Sequence, residues 1–411
     1  MMYVCWQRSR IEENKGGPCM IYVGIDVAKD KHECIIITEE NKIVTPCFSF
    51  PNTREGFQRI DREIRSASQG DYEKIKIGLE ATGHYSSNLL SYLVRQNWKT
   101  VQLNPLSVAN FKKAQSLRRT KTDKNDVRYI AEMMLSDRNK PYQEQEYHIC
   151  VLKSITRARY RISKELQHIK GRFRRSLHLL FPEYPKLFGV LYRGAALDLL
   201  AEYPSAKDIA ELHLTTLTNF LKSHTHGVLG REKAILLKET AKNSIAQYSE
   251  GDAIELKMLA QRILFMQNQR KELDKKIDEI MTKIKSPITT IPGIGNYIGA
   301  VILAEIGDIN NFETPAKLQA YAGVDPAIYQ SGTYTAANTA MVKRGSAYLR
   351  HALYLATCMA SFANNSFARY AAKKKAQGKH HYVAMAHVMK KMIRVVFCVL
   401  KSGKAYVDPT I

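Results

Sequence analysis

Four carboxylates stand where their type and spacing can do chemistry. Asp123 and Asp126 lie three residues apart in "RRTKTDKNDVRYIAEMM", residues 118–134, and between Lys112 and Arg128 they are the only two acids among seven basic residues. Asp26 closes the run "YVGID" and Glu80 closes "IGLE". A stretch of small and β-branched residues ending in an acid reads as a strand that presents the acid at a sheet rim, where active sites form. If the four converge, they offer only oxygen ligands. Such a cluster repels itself and raises its own pKa values unless cations neutralise it. Mg²⁺ suits that ligand type. Two ions about 4 Å apart would clamp the attacking and leaving oxygens of a phosphodiester, with the surrounding lysines and arginines holding the nucleic-acid backbone.

The elements that must position these groups follow from periodicity. Asp123 to Leu135 has no Pro or Gly and reads as a helix. At about 100° per residue, Val127, Ile130, Met133 and Met134 share one face, with Tyr129 at its edge. Asp123 and Asp126 fall on that same face, while Lys124 and Arg128 point to solvent. These two acids are therefore expected to face inwards, with an arginine or a metal as partner, because an unpaired buried carboxylate is costly. The plainer alternative is an acidic pair favoured by the positive end of a helix dipole.

Three blocks follow along the chain. Residues 20–140 alternate strands and helices: a hairpin over "MIYVGIDVAKDKHECIIIT", an amphipathic helix over "EGFQRIDREIRSA", a strand ending at Glu80, a helix over "YSSNLLSYLVRQNW" and a strand over "KTVQLN". That pattern predicts an α/β layer domain with mixed strands. Residues 141–285 read as almost entirely helical. The first helix carries Leu152, Ile155, Ile162, Leu166, Ile169 and Phe173 inwards, interrupted by Arg159, and Arg157, Arg161, Lys164, Lys170, Arg172 and Arg174 on an outer face. The last keeps heptad phase from Leu256 to Ile284, about 45 Å of helix, and predicts a coiled coil within the chain or between chains. Residues 286–405 open with "SPITTIPGIGNYIGAVILAEIGDI", in which a helix, a Pro-Gly-Ile-Gly turn and a second helix resemble a helix-hairpin-helix. Such a turn either offers backbone N–H groups to a phosphate or is a tight corner without ligand. A basic helical region with Lys373, Lys374, Lys375, Lys379, Lys390, Lys391 and Arg394 ends the block.

Composition narrows the function. The 411 residues are 45% hydrophobic and carry a net charge of +23 spread along the chain, which favours a nucleic-acid partner. No run of 18 apolar residues exists, so no transmembrane helix is expected. The seven cysteines are scattered without a CxxC pair, pointing to reduced thiols in the cytoplasm and no zinc site. Residues 1–19 lack an apolar core, are no signal peptide, and read as either an upstream start or a dispensable arm. "KHH" at 379–381 reads as a solvated basic patch, and His84 as a turn histidine near Glu80.

With the last acidic pair spelled "TDKND", the Asp-Glu-Asp-Asp set resembles that of the DEDD transposases of the insertion-sequence-110 family. "IPGIG", "AYAGVDP", "SGT" and "KRGSAYLRHALY" resemble that family's C-terminal transposase domain. The resemblance covers the first block and residues 286 to about 405; the stretch from Tyr184 to Gly251 is longer than compact members lead one to expect. It implies a RuvC-like, RNase H-type N-terminal domain, a helical, coiled-coil middle and a mostly α-helical C-terminal transposase domain. It further implies a recombinase of a bacterial insertion sequence, with Asp26, Glu80, Asp123 and Asp126 as the Mg²⁺ site, two ions being expected. Ser331 in "YQSGT" corresponds to the nucleophile that forms a phosphoserine link to DNA, assisted by metal or by Arg344 and Arg350. Read without the resemblance, Ser331 is a turn serine before Gly332, and Ser346 in "RGSAY" competes with it. The implied partners are donor and target DNA, a structured guide (bridge) RNA and further copies of the chain in a dimer or tetramer. Lys112, Lys113, Arg118, Arg119, Lys121, Lys343, Arg344 and Arg350 are the expected backbone contacts.

Two other readings stay open at this level. A RuvC-like structure-specific endonuclease would use the same metal site to hydrolyse DNA with water and no covalent intermediate. A non-catalytic nucleic-acid binder would pair its acids with arginines.

Overall fold

The computed structural model describes residues 20–409 except 69, 82, 116–122, 136–146, 327–329, 332–333, 336–339 and 363–364, and only the backbone at 123, 124, 147, 330, 331, 334 and 335. The chain divides into two units, residues 1–144 and 145–411.

In the first unit the described residues form a five-stranded sheet in the order β3-β2-β1-β4-β5. The strands are β1 (Ile21–Val27), β2 (Lys31–Thr38), β3 (Ile43–Pro51), β4 (Ile75–Glu80) and β5 (Thr100–Leu103). The first three form an antiparallel meander, while β1, β4 and β5 run parallel. Central β1 is apolar on both sides because helices cover both faces. On one face, α1 (Arg54–Ser68) and α2 (Tyr85–Arg95) set Ile60, Ile64, Leu89 and Leu93 against Val23, Ile25, Ile77 and Leu79. On the other, α3 (Pro105–Gln115) and α4 (Asp123–Met134) set Val108, Val127, Ile130, Ala131 and Met134 against Tyr22, Ile35, Ile37, Val101 and Leu103. Burying a side chain of this size contributes roughly 1.5–3 kcal/mol, enough for α4 to be held by its apolar face. This is the RNase H-like arrangement. The strand pattern of "IVTPCFSFP" went unread in the sequence: β3 is an edge strand with only Phe50 fully buried, and the edge tolerates its two prolines.

The second unit is mostly helical. Helix α5 (Tyr147–Leu180) leads through α6 (Tyr184–Leu187), α7 (Ala195–Glu202), α8 (Ala206–Glu211), α9 (Leu214–His224) and α10 (Arg231–Lys242) to α11 (Glu250–Ile284). The heptad seam of α11 closes on α5 of the same chain. Arg172 pairs with Glu255, Glu165 with Arg262 and Arg159 with Asp274, so one helix ascends as the other descends. Arg159, which interrupts the apolar face in sequence, holds Asp274 and lies 3.5 Å over the Tyr297 ring. Residues Tyr184, Leu197, Ile209, Leu217 and Leu237 join Phe173, Leu177, Leu256 and Ile263 in one core, so the long insertion folds as a helical cap on this hairpin.

After a 3₁₀ turn at Pro287–Thr290, the chain continues with α12 (Asn296–Ile306), α13 (Pro315–Ala322), the short strands β6 (Gln330–Ser331) and β7 (Tyr334–Thr335), α14 (Ala347–Ala360), α15 (Ser366–Ala376) and α16 (His381–Ser402). Arg157 corrects the sequence reading. Expected on the outer face of α5, it turns inwards and binds Glu305 of α12 at 2.7 and 2.9 Å. Glu305 is 1% exposed and also accepts from Ser346 Oγ at 2.8 Å. Burial pushes the Glu305 carboxyl up, but the Arg157 and Ser346 hydrogen bonds outweigh it and hold the group below the usual range. Arg157→Ala is expected to lower stability by about 2–3 kcal/mol, short of the full cost of orphaning a buried charge because Ser346 remains. The urea midpoint of the second unit reads this, and Arg157→Lys should recover part of it. An unchanged midpoint for Arg157→Ala would show that the pair is idle. Because its folded pKa is depressed, the glutamate's contribution is fully present above the ordinary carboxylate range and is lost as pH falls from there through the lower pKa of the folded state.

Candidate active site

Parallel register brings the first two carboxylates together. Ile21, Val23 and Ile25 of β1 pair with Ile75, Ile77 and Leu79 of β4. One residue further, Asp26 and Glu80 end neighbouring strands at the same edge, and both are half-buried. Because strand side chains alternate, both lie on the face that carries Tyr22, Gly24 and Gly78, the α4 face. Glu33 of β2 stands opposite Asp26 on that face. Its carboxylate accepts from Ser49 and from Lys31. Burial pushes Glu33 up, and the Ser49 and Lys31 contacts hold it lower, so it stays ionised. The sequence reading missed this acid. Its two-residue phase with Ile35 and Ile37 is the signal that would have found it.

A pair of glycines then lets the helix in. Gly24 and Gly78 are register partners. A Cβ on Gly24 would collide with the Val127 carbonyl and lie 2.7 Å from the Ala131 nitrogen; one on Gly78 would lie 2.6 Å from Met134 Cγ. Asn41, in the turn beyond Thr38, donates to Glu132 of α4 at 3.1 Å. Because Thr38 pairs with Ile21 at the start of β1, α4 runs against β1 and its acidic first turn lies towards the Asp26 end. Asp126 is 7% exposed, as the helical phase predicts. Its Oδ1 accepts from Lys112 Nζ of α3 at 3.0 Å. Gly24→Ala is therefore expected to destabilise the first unit by about 2–3 kcal/mol through overpacking, and to displace the acidic turn. Thermal melting together with proteolysis within α4 measures it. A variant with wild-type melting and protection would exclude the close approach as the positioning device.

Asp26, Glu80, Asp126 and the first turn of α4 thus share one end of one sheet face. The side chain of Asp123, and Arg118, Arg119 and Lys121 altogether, lie outside the described residues. The donor set is all carboxylate oxygen, which suits a hard dication, and buried Asp126 already takes a positive group. As they stand, the described residues gather no three His, Cys, Asp or Glu side chains tightly enough to hold an ion. Lys112, expected on the nucleic-acid backbone, instead neutralises Asp126, so an incoming dication would take over the role of its ammonium. Lys113 is exposed.

The serine belongs to the second unit. Ser331 lies on β6 and pairs with Tyr334 of β7, so the expected turn serine stands on a two-stranded hairpin. The base of that hairpin is clamped: Val342 N donates to Asp325 O at 2.8 Å and Ser346 N to Tyr321 O at 3.0 Å. Gly323 (φ 67°) and Gly345 (φ 101°) cross in backbone contact that a side chain would block. Arg350 Nη1 donates to the carbonyls of Ala322 at 3.0 Å and Lys343 at 3.2 Å, placing it in the clamp; Lys343 and Arg344 are exposed. Ser346 caps α14 through Leu349 N and donates to Glu305, so its hydroxyl is engaged structurally. In "IPGIG" the segment before the turn is 3₁₀, and Gly293 (φ 84°) abuts the Ala360 nitrogen at 2.8 Å from its missing Cβ. That side of the turn is a packing corner against α14.

Residues 23–182 match a family described as "Transposase", its DEDD type in IS110 elements, and residues 285–372 match "Transposase IS116/IS110/IS902 family". The chain belongs to the IS110 family of transposases. The matched segments cover the sheet with its acids and the part of the second unit that holds the Ser331 hairpin. A pilin gene-inverting protein of Moraxella lacunata is 22% identical over 94% of this transposase and 97% of its own length. The insertion element IS116 uncharacterized 44.8 kDa protein of Streptomyces clavuligerus is 22% identical over 94% and 96%. An IS110 protein of Streptomyces coelicolor is 29% identical over 36% of this chain and 37% of its own. The transposase is a DNA-cutting and rejoining enzyme, and its DEDD domain implies divalent-metal dependence. No helix among the described residues is long and apolar enough to cross a membrane.

Proposed function

We propose that this transposase cuts and rejoins donor and target DNA of a bacterial insertion sequence through Ser331, with Asp26, Glu80, Asp123 and Asp126 holding Mg²⁺ as two ions. The observation that carries this reading is the facing pair Gly24 and Gly78, which seats α4 so that its acidic turn lies at the ends of β1 and β4. Bound there, Mg²⁺ supplies charge stabilisation at the scissile phosphate. Ser331 Oγ attacks phosphorus, a Ser–O–P bond forms, and the DNA strand leaves as a hydroxyl that receives the serine proton. In the reverse step a DNA hydroxyl attacks the phosphoserine and the serine recovers its proton, so no bond energy is lost to water. Lys343 and Arg344, exposed beside the hairpin clamp, and Lys113 on α3 bind the DNA backbone. The metal-free role of Lys112 is to keep buried Asp126 neutralised.

A structured guide RNA selects the sequence, bound by shape and backbone along the basic α5 face. The net charge of +23 supports this. The enzyme acts in the cytoplasm as a dimer or tetramer. Because the α11 seam closes on α5, self-association uses other surfaces, and the exposed Ile254, Met258 and Phe265 of α11 are suited to it. The deciding experiment expresses the gene with its native flanking DNA and a plasmid target, then looks for protein covalently linked to DNA under denaturing conditions. An adduct is expected. Cleaved DNA with no adduct in any trapped time point would instead make this a hydrolytic endonuclease.

A further inference from the structure

A second cationic feature is built from residues other than the acids and Ser331. From Pro326 to Val407 the chain carries thirteen Lys and Arg residues and no Asp or Glu. Within that stretch α15 and α16 pack together through Phe367, Ala371, Val388 and Met392. A cavity of about 380 Å³ opens beside them, lined by Tyr370, His387, Lys390, Lys391 and Arg394. The spacing of His387, Lys390 and Arg394 puts them on one face of α16. Across from them on α15, Lys374 Nζ lies 5.3 Å from the Tyr370 ring centre and donates to Gln377. Lys391 donates to the Ser366 carbonyl at 3.0 Å and packs over Phe367 and Tyr370, which fixes it as a wall.

No acid lines the pocket, and the nearest negative charge felt by a lining residue is that of Asp408 on Lys391. Among the described residues Lys390 and Arg394 form no ion pair. Asp408, the acid that closes the stretch, accepts from Ser366 N and Tyr406 and pairs with Arg369. Burial, then the charges of Lys374, Lys379 and Lys390, push the His387 imidazole below its ordinary range. Like charges held together without a counter-ion raise the free energy of the empty pocket, and an anion relieves it.

We propose that this pocket is a phosphate-binding subsite for the backbone of a nucleic-acid strand, DNA or RNA, with Lys390 and Arg394 as its direct ligands. It rests on the reading that the chain acts on nucleic acid, and adds a contact outside the acidic and serine sites. A polyanion fits better than a lone metabolite, because the basic stretch continues beyond the pocket lining with Lys373, Lys374, Lys375 and Lys379. Four of the five lining residues follow position 372, where the C-terminal family match ends. A phosphate beside His387 favours its charged form, so binding takes up a proton there and tightens as pH falls into the range where the imidazole protonates.

The test uses the full chain and fluorescence anisotropy with labelled single-stranded DNA, duplex DNA and single-stranded RNA of scrambled sequence. Lys390→Gln/Arg394→Gln is expected to raise Kd about tenfold at 0.1 M salt and to flatten the log Kd against log salt slope by about 1.4–1.8, two phosphates' worth. The strand type that shows the change identifies the source of the phosphate. A folded variant with wild-type Kd and slope on all three overturns the subsite alone. A wild type that binds none of them overturns the underlying reading as well. If the variant melts early, acetylation footprinting of the wild type decides: Lys390 should be protected by the bound strand, and its full reactivity overturns the subsite.

Discussion

Asp26→Asn is expected to slow DNA strand cleavage by at least about a hundred- to a thousandfold, the usual cost of losing one preorganised electrostatic contact to a transition state. DNA binding should stay within about threefold. The amide has the shape of the carboxylate, so β1 keeps its pairing. Asp26 stands opposite Glu33 in the strand register, and the isosteric amide leaves β1 in place, so the melting temperature should stay close to wild type. That combination separates a metal-holding acid from a structural one, whose loss would lower stability. Cleavage by the wild type should likewise stop on chelation with EDTA and return with added Mg²⁺. Wild-type cleavage by Asp26→Asn would end the proposal that this rim is the metal site.

Ser331→Ala should remove the covalent protein–DNA adduct and reduce rejoining by more than about ten-thousandfold, because a nucleophile has no substitute within its own site. Ser346→Ala is the matched control. It removes the cap of α14, costing about 1 kcal/mol, and one hydrogen bond to Glu305, but leaves the adduct. If the two phenotypes are exchanged, the nucleophile is Ser346. If Ser331→Ala cleaves as well as wild type and no adduct exists in either, water is the nucleophile and the acids act alone.

Much of the first unit could be read from residue order. The hairpin of β1 and β2, the strand ends at Asp26 and Glu80, and the inward phase of Asp126 follow from periods of 2 and 3.6, which are local. Less of the second unit could be read that way. Arg157 looks like one more cation on a basic helix until Glu305 arrives from 148 residues away. The α11 heptads announce a seam without saying which helix closes it. The "IPGIG" turn resembles a phosphate-binding corner until Gly293 is found packed against α14.

The sequence by itself determined the charge of the molecule, the family resemblance and most of the elements of the first unit, because these depend on composition, motif and short-range periodicity. Only the tertiary structure decided that Gly24 and Gly78 lie side by side under α4, that Glu33 stands beside Asp26, that Lys112 neutralises Asp126, and that α15 and α16 line a cationic pocket. Each of these joins residues whose separation in sequence carries no period, so it exists only once strand register and helix packing have placed them side by side.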